Sequence, residues 1–300
     1  MLRDVDHVLR QRPGRLAHPD PQQAVAIAHR VAAQDVIDIP EHDNPSWHLT
    51  QGDRLHCACH YLWLVDNLLD PSHVAWVHRG SFAGASTDRT PLDLTVSASG
   101  VTSSRWLLNQ PPLPFYAPLV KFNGPADRLQ HYEACYPSVA INKSVYTPAG
   151  AGGPGSGDGP ETYHMVLLQL GLPDEFIEHG DHAKLLSGLG LDAAGIEAAV
   201  RRRSYNFLTP VDDDRTLYFW LQQRNTDPQD EGITQRNASG AKAGFEEDRL
   251  ILEAMHQGMK HKTTPTTGLL LDAAASRFRQ GLARLIAVEA GTQVDSPSIE

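Results

Sequence analysis

Three hundred residues, 41% hydrophobic and 21% charged, describe a globular chain of one large domain or two small ones, and exclude disorder, collagen and coiled coil. Thirty-six acidic against 26 basic residues leave a formal net charge of -10, which argues against nucleic acid as a partner, because phosphate binding needs a cationic face. No apolar run approaches the roughly 18 residues of a membrane span, and Met1-Leu2-Arg3-Asp4-Val5-Asp6 lacks signal-peptide character, so no membrane role is expected and the expected compartment is the cytoplasm.

Residues 1–35 are rich in Arg, His, Ala, Pro and Gln, with one helical stretch over Ala24 to Ala33 and no strong apolar stripe; they read as a peripheral arm. A second unit is expected over 36–300. Trp47 to Thr50 and Leu55 to Cys59 read as short strands joined by the turn Gly52-Asp53, and Tyr61 to His78 as a mostly apolar, buried helix. Alternation predicts antiparallel strands over Leu92 to Ser99, Val101 to Leu108 after a turn at Gly100, Leu129 to Tyr136 and Val139 to Tyr146. Ala149 to Pro160 is a Gly/Pro/Ser loop without the lysine of a phosphate-binding loop. Thr162 to Leu170 reads as strand and Glu175 to Arg203 as polar helix, so that 149–203 forms an insertion, with 175–203 either a lid or a surface decoration. Tyr205 to Leu208 and Thr216 to Gln222 return to strand around a turn at Pro210 to Asp214, and helices over Phe245 to Met259 and Leu271 to Ala290 close the chain. Strands in the middle and helices at the ends predict an α+β class.

The segment Asp66 to His78 carries the most chemistry. Asn67, Asp70 and His73 recur at three-residue intervals inside an apolar stretch, where buried polar groups need partners. His73 and His78 converge only if the helix widens or breaks, and Pro71 supplies a break. The plainer alternative makes Asp70 a cap for a helix begun by Pro71 and both histidines ordinary residues. A third candidate ligand lies on the helix from Phe245, where Asp248 shares the apolar side with Ile251, Leu252, Met255 and Met259, opposite Glu246, Arg249, Glu253 and Gln257. Two histidines and an inward carboxylate match the facial triad of non-haem Fe(II) oxygenases, which leaves one side of the metal for O2 and substrate.

The run Asn67-x-x-Asp70-x-x-His73-x4-His78 resembles the mononuclear iron motif of Rieske non-haem iron oxygenases, and Leu64 to Asp70 is similar to their vanillate O-demethylase and dicamba monooxygenase branch. Phe207-Leu208-Thr209-Pro210, Tyr218-Phe219-Trp220, Arg224-Asn225 and Glu247-Asp248-Arg249 extend that resemblance over about residues 36–290. It implies a helix-grip fold, an antiparallel sheet wrapped on a long C-terminal helix. It also implies Fe(II) held by His73, His78 and Asp248, with Asp70 linking a histidine to a neighbouring subunit's Rieske centre and Asn67 beside it. Hydroxylation or O-demethylation of an aromatic or similar apolar substrate with O2 is the reaction implied, with Asn206, Leu208, Tyr218 and Trp220 as candidate substrate contacts and a head-to-tail homotrimer as the assembly. Asn206 and Leu217 stand where that branch has histidines, which implies a different substrate.

The family's Rieske domain needs a Cys-x-His pair upstream, and this chain has none. Its three cysteines are Cys57, Cys59 and Cys135, read as reduced thiols, and the Cys-x-x-His from Cys57 to His60 reads as coincidence, with an adventitious zinc site as the alternative. No Rieske 2Fe-2S cluster is therefore expected in this chain; electrons would reach it from NAD(P)H through a separate Rieske or reductase protein, and residues 1–35 could be a remnant of the lost domain. The alternatives are a metal-vestigial helix-grip module carrying a hydrophobic ligand and, more remotely, a zinc hydrolase. His256 and His261 near the end of a helix, and His179 and His182 in a polar segment, read as solvated.

Overall fold

The computed structural model describes residues 39, 42–50, 52–78, 90–150, 199–263 and 268–291. The expected N-terminal arm and helix, most of the Gly/Pro/Ser loop, the strand expected over 162–170, most of the helix expected over 175–203, and His179 and His182 lie outside the described residues.

Among the described residues, eight strands form one antiparallel sheet: β1 (His48–Thr50), β2 (Arg54–Cys57), β3 (Asp93–Val96), β4 (Gly100–Gln110), β5 (Ala126–Cys135), β6 (Val139–Pro148), β7 (Val200–Asp212) and β8 (Arg215–Arg224). Their order is β1-β8-β7-β6-β5-β4-β3, with β2 also paired to β8. Strand periodicity sends alternate residues to one face. In register across β5 to β8, Arg128 sits opposite Tyr146, Ser144 opposite Arg202, Ser204 opposite Gln222 and Asn206 opposite Trp220, so one face carries an unusual share of polar groups. Val200 to Arg203, expected as the end of a polar helix, are strand. Their three consecutive arginines alternate between faces, a pattern that suits a strand and gave no helical stripe.

Helix α1 (Tyr61–Leu69) buries Tyr61, Leu62, Leu64, Val65, Leu68 and Leu69, and its first turn is capped by His60, which accepts from the Leu62 N–H at 3.2 Å. The expected helix to His78 stops here. A residue before proline is driven out of helical backbone, and Asp70, preceding Pro71, has φ -100° and ψ 98°. A turn follows, then the single-turn helix α2 (Val74–Val77).

Helix α3 (Glu231–Lys260) starts well before the expected Phe245, with the Asp230 carboxylate accepting from the Ile233 N–H at 2.9 Å. Its buried stripe is Ile233, Asn237, Ala241, Gly244, Asp248, Leu252 and His256. Ile251 and Met255, expected on the inward side, are exposed, at 42% and 45%. His256 reverses its expectation too: it is buried, accepting from Trp63 Nε1 at 3.2 Å and donating to Asp214 at 2.6 Å, and so ties α1 to α3 and the β7–β8 turn. Helix α4 (Ala273–Glu289) packs on β4 and α1, and Arg279 pairs with Asp66 at 2.6 Å. At Gly240 an added Cβ would fall 2.4 Å from the Phe115 ring, so a bare backbone is what lets the segment after β4 lie against α3.

The main core gathers residues from β2, α1, the β4–β5 and β6 strands, β7, β8, α3 and α4, including Val65, Ala134, Leu208, Tyr218, Leu252 and Phe278. A curved antiparallel sheet gripping helices on one face is the helix-grip α+β architecture. No helix among the described residues is long and apolar enough to cross a membrane.

A candidate metal centre and its cavity

The Asp70-Pro71 break brings the two histidines together. His73 ends the turn after α1 and His78 ends α2, and their Nε2 atoms lie 3.3 Å apart. Asp248, projecting from the buried stripe of α3, places Oδ1 3.3 Å from His78 Nε2 and 3.7 Å from His73 Nε2. All three side chains are largely shielded, at 13%, 5% and 6% exposure for His73, His78 and Asp248. Among the described residues this is the group of three metal-binding side chains whose ligand atoms can meet at one point.

The outer nitrogens are already used. Nδ1 of His78 lies 2.8 Å from Glu247 Oε2, and Nδ1 of His73 meets the Asp70 carbonyl. Carbonyl and carboxylate oxygens accept, so each ring carries its proton on Nδ1 and turns the Nε2 lone pair inward. Burial lowers the pKa of His78, but Asp248 and Glu247 outweigh it, and the imidazole sits above its ordinary value.

Asp248 Oδ1 is a buried carboxylate oxygen with no hydrogen-bond partner. An orphaned buried charge is costly unless a cation or a proton meets it. From the three separations, the equidistant point in the plane of the ligand atoms lies about 2.0 Å from each and points just out of that plane slightly farther, which spans the roughly 2.0–2.2 Å of imidazole and carboxylate bonds to a first-row divalent metal. These residues fit such an ion.

Asp70 supports the loop through two groups. Its backbone carbonyl engages His73, whereas its carboxylate turns back on Ser72, accepting from N–H at 2.8 Å and from Oγ at 2.5 Å. The Asn67 carbonyl accepts from the Asp70 N–H and closes α1. Arg105, almost fully buried on β4, donates to the Pro71 carbonyl at 3.3 Å and to Gln130 at 2.8 Å, and so braces the loop from the sheet.

His73, His78 and Asp248 line a cavity of about 740 Å³, counting the space open to solvent, with Leu68, Val74, Leu113, Phe245, Tyr116 and Tyr132 among its apolar and aromatic walls. Arg128 and Arg202 share that wall. The four expected substrate contacts do not. Asn206 is fully buried, held by the Ala140 carbonyl at 3.0 Å, Asn142 at 2.9 Å and the Tyr218 hydroxyl at 2.8 Å. Leu208, Tyr218 and Trp220 belong to the core, and the last two stack against Phe245, which does line the cavity. They stand on the cavity face of the sheet but farther along it, under the helices.

Cys57 and Cys59 are buried and free, and burial pushes both thiols up to about 12, so neither is a thiolate ready for a metal. Glu247, Arg105, Arg128 and Arg202 were not anticipated. Glu247 neighbours Asp248 in sequence, and reading Arg201-Arg202-Arg203 as strand would have turned Arg202 inward.

The vanillate O-demethylase oxygenase C-terminal domain matches residues 57–171 and 182–288. The iron-sulfur subunit TsaM1 of the toluene-4-sulfonate monooxygenase system of Comamonas testosteroni is 28% identical over 266 residues, which cover 87% of this chain and 66% of that protein. The vanillate O-demethylase oxygenase subunit of Pseudomonas sp. (strain HR199 / DSM 7063) is 27% identical over 253 residues, 82% of this chain and 60% of that one. Dicamba monooxygenase bound to dicamba superposes with a TM-score of 0.63 at 21% identity, over 87% of this chain and 65% of that chain, a likeness of fold. The chain thus spans about two thirds of the length of these relatives. A 39-residue stretch is 76% identical to 1-deoxy-D-xylulose-5-phosphate synthase of Bordetella pertussis, but covers only 6% of that enzyme and says nothing of the fold. With a match that takes in most of the described residues, the chain belongs to the family of vanillate O-demethylase oxygenase C-terminal domains.

Proposed function

We propose that the chain is the catalytic portion of a mononuclear non-haem iron oxygenase that hydroxylates or O-demethylates an aromatic substrate with O2. The observation that carries this reading is the convergence of two Nε2 lone pairs on a buried carboxylate oxygen that has no other partner. His73, His78 and Asp248 would hold Fe(II), which supplies reductive activation of O2 and attack on a substrate C–H bond. A methoxy group treated in this way gives a hemiacetal that loses formaldehyde.

The chain's own part is binding and orientation. Leu68, Val74, Leu113 and Phe245 with Tyr116 and Tyr132 offer an apolar, aromatic wall for a ring and keep bulk water from it. Glu247 and the Asp70 carbonyl fix the ring orientation and basicity of the two histidines. Two electrons per turnover would come from NAD(P)H through a reductase and a Rieske centre. A metal-vestigial carrier of hydrophobic ligands would have no use for Asp248, whose orphaned oxygen destabilises an empty fold.

The test is iron stoichiometry after anaerobic Fe(II) reconstitution of the parent chain, His73→Ala and Asp248→Ala. Near-equimolar iron in the parent and loss in both variants is the expected result. A parent that retains no iron overturns the oxygenase reading in favour of the carrier.

A further inference from the structure

A helix cut short by proline leaves carbonyls without their usual donors. Pro71 has no N–H for the Asn67 carbonyl, which takes the Asp70 N–H instead. The Ser72 N–H, which a continuing helix would give to the Leu68 carbonyl, turns to the Asp70 carboxylate at 2.8 Å. Two carbonyls that flank the break are met from the sheet. Asn142 on β6 donates from Nδ2 to the Leu68 carbonyl at 2.9 Å, and Arg105 on β4 donates from Nη2 to the Pro71 carbonyl at 3.3 Å.

Each of these donors is itself held. The Tyr218 hydroxyl donates to Asn206 Oδ1 at 2.8 Å and Asn206 Nδ2 donates to Asn142 Oδ1 at 2.9 Å, so the order of donors turns the Asn142 amide with its Nδ2 toward the helix end. Arg105, 1% exposed, donates from Nε to Gln130 Oε1 at 2.8 Å and from Nη1 to the Thr90 carbonyl at 3.4 Å. One guanidinium therefore reaches carbonyls at both ends of the stretch from Pro71 to Thr90, within which His73 and His78 lie. Strands β4 to β8 are joined by continuous ladders and make a firmer base than the single-turn helix between the histidines.

We infer that Arg105 and Asn142 are positioning residues, which set the placement of His73 and His78 by fixing the Pro71 and Leu68 carbonyls from the sheet. The inference rests on the metal reading of that site. The Pro71 carbonyl follows the Asp70 carbonyl that meets the His73 ring, so releasing it lets the tether of that ring turn. Glu247 holds His78 from α3, and the two anchors hold the loop from the opposite layer. Asn206 and Tyr218, buried away from the cavity wall, act here through Asn142 by keeping its amide turned to the helix end.

The test is titration of the full metal-free chain with Co(II), followed by the visible absorption of the bound ion, in the parent, Arg105→Lys, Asn142→Leu and Tyr218→Phe, with hydrogen exchange measured on the same metal-free samples. The Co(II) dissociation constant is expected to rise about 10- to 100-fold in the first two variants, as when a group that orients metal ligands is lost, and the absorption band of the bound ion to shift. Amides of residues 72–78 should exchange faster while those of β4 to β6 keep the parent rates. A merely structural role would lower stability but leave the affinity and spectrum of the folded fraction at parent values; that result overturns the inference with the metal reading standing. Faster exchange throughout the sheet overturns it as well. Tyr218→Phe removes one hydroxyl at the far end of the relay and decides the matter should the other two fail to fold: Co(II) bound about 3- to 10-fold more weakly supports the inference, and an unchanged constant and spectrum overturn it. A parent that binds no Co(II) overturns the metal reading and the positioning role together.

Discussion

Glu247 Oε2 lies 2.8 Å from Nδ1 of His78, on the far side of the ring from Asp248. Two adjacent residues of one helix therefore grip a single imidazole at both nitrogens, one fixing its tautomer and the other sharing its inward lone-pair site.

Removing the outer grip weakens the inner one. Glu247→Ala is expected to lower Fe(II) affinity about 10- to 100-fold, the usual effect of losing a partner to a histidine ligand. Competition titration against a chelator at fixed pH measures it; an unchanged dissociation constant would show that the Asp70 loop alone orients the site.

Asp248→Leu separates binding from stability. Replacing the orphaned oxygen by an apolar group of similar size should make the metal-free fold more stable by about 1–2 kcal/mol at alkaline pH, where His78 is neutral and gains nothing from the carboxylate, while abolishing iron uptake. Urea denaturation of both metal-free proteins reads the first effect and iron analysis the second. A destabilised metal-free variant would mean that the carboxylate has a structural partner after all.

Acid sensitivity should trace to Glu133. The His131 ring hydrogen-bonds it and, against burial, combines with the Lys143 ammonium 3.2 Å away to hold its carboxyl down at about 2. The pKa is depressed on folding, so the contribution is fully present above the ordinary value near 4.5 and lost as pH falls toward 2. Burial also lowers His131, which costs the folded state further stability as pH falls below 6.5. Glu133→Gln is expected to be less stable by about 2 kcal/mol at neutral pH and to show a flatter decline below pH 4.5. Thermal melts from pH 7 to pH 3 give both slopes; parallel curves would remove Glu133 as the cause.

Two glycines should respond in opposite directions to alanine. At Gly100, the first residue of β4, a Cβ would fall 2.0 Å from the Ala134 carbonyl oxygen, so Gly100→Ala must push β4 from β5 and lower stability by about 2–3 kcal/mol. At Gly258 in α3 nothing lies within 4 Å, and Gly258→Ala should raise stability by about 0.5–1 kcal/mol through helix propensity. Melting temperatures of the pair check both signs.

The central strands were legible because β5 and β6 are β-like runs bounded by turns, and α1 because its apolar positions recur at helical spacing. Its early end required knowing that Pro71 would act as a break and not as a kink. The first half of α3 was hidden by composition: Gly232, Gly240 and Gly244 lower its propensity, and its buried stripe uses Asn237, Ala241 and His256 where a larger apolar set was sought. Asp248 was still placed inward, since it lies four residues before Leu252 on the true stripe, whereas Ile251 and Met255 are outside it. The cavity's arginines escaped because buried charge contradicts the rule by which cores are read, and such contradictions concentrate where a ligand completes the structure.

His78 and Glu247 are separated by 169 positions along the chain, yet they share one hydrogen bond beside the convergent ligand atoms. A metal held there would act as a cross-link, clasping the loop after the first core helix to the long helix that follows the last strand, much as a disulfide closes a large ring. Contacts so remote in sequence form late in folding, after the sheet between them has paired. The ion would then reach a site assembled last and opening first, and by tying its two halves together would slow unfolding more than it sped folding.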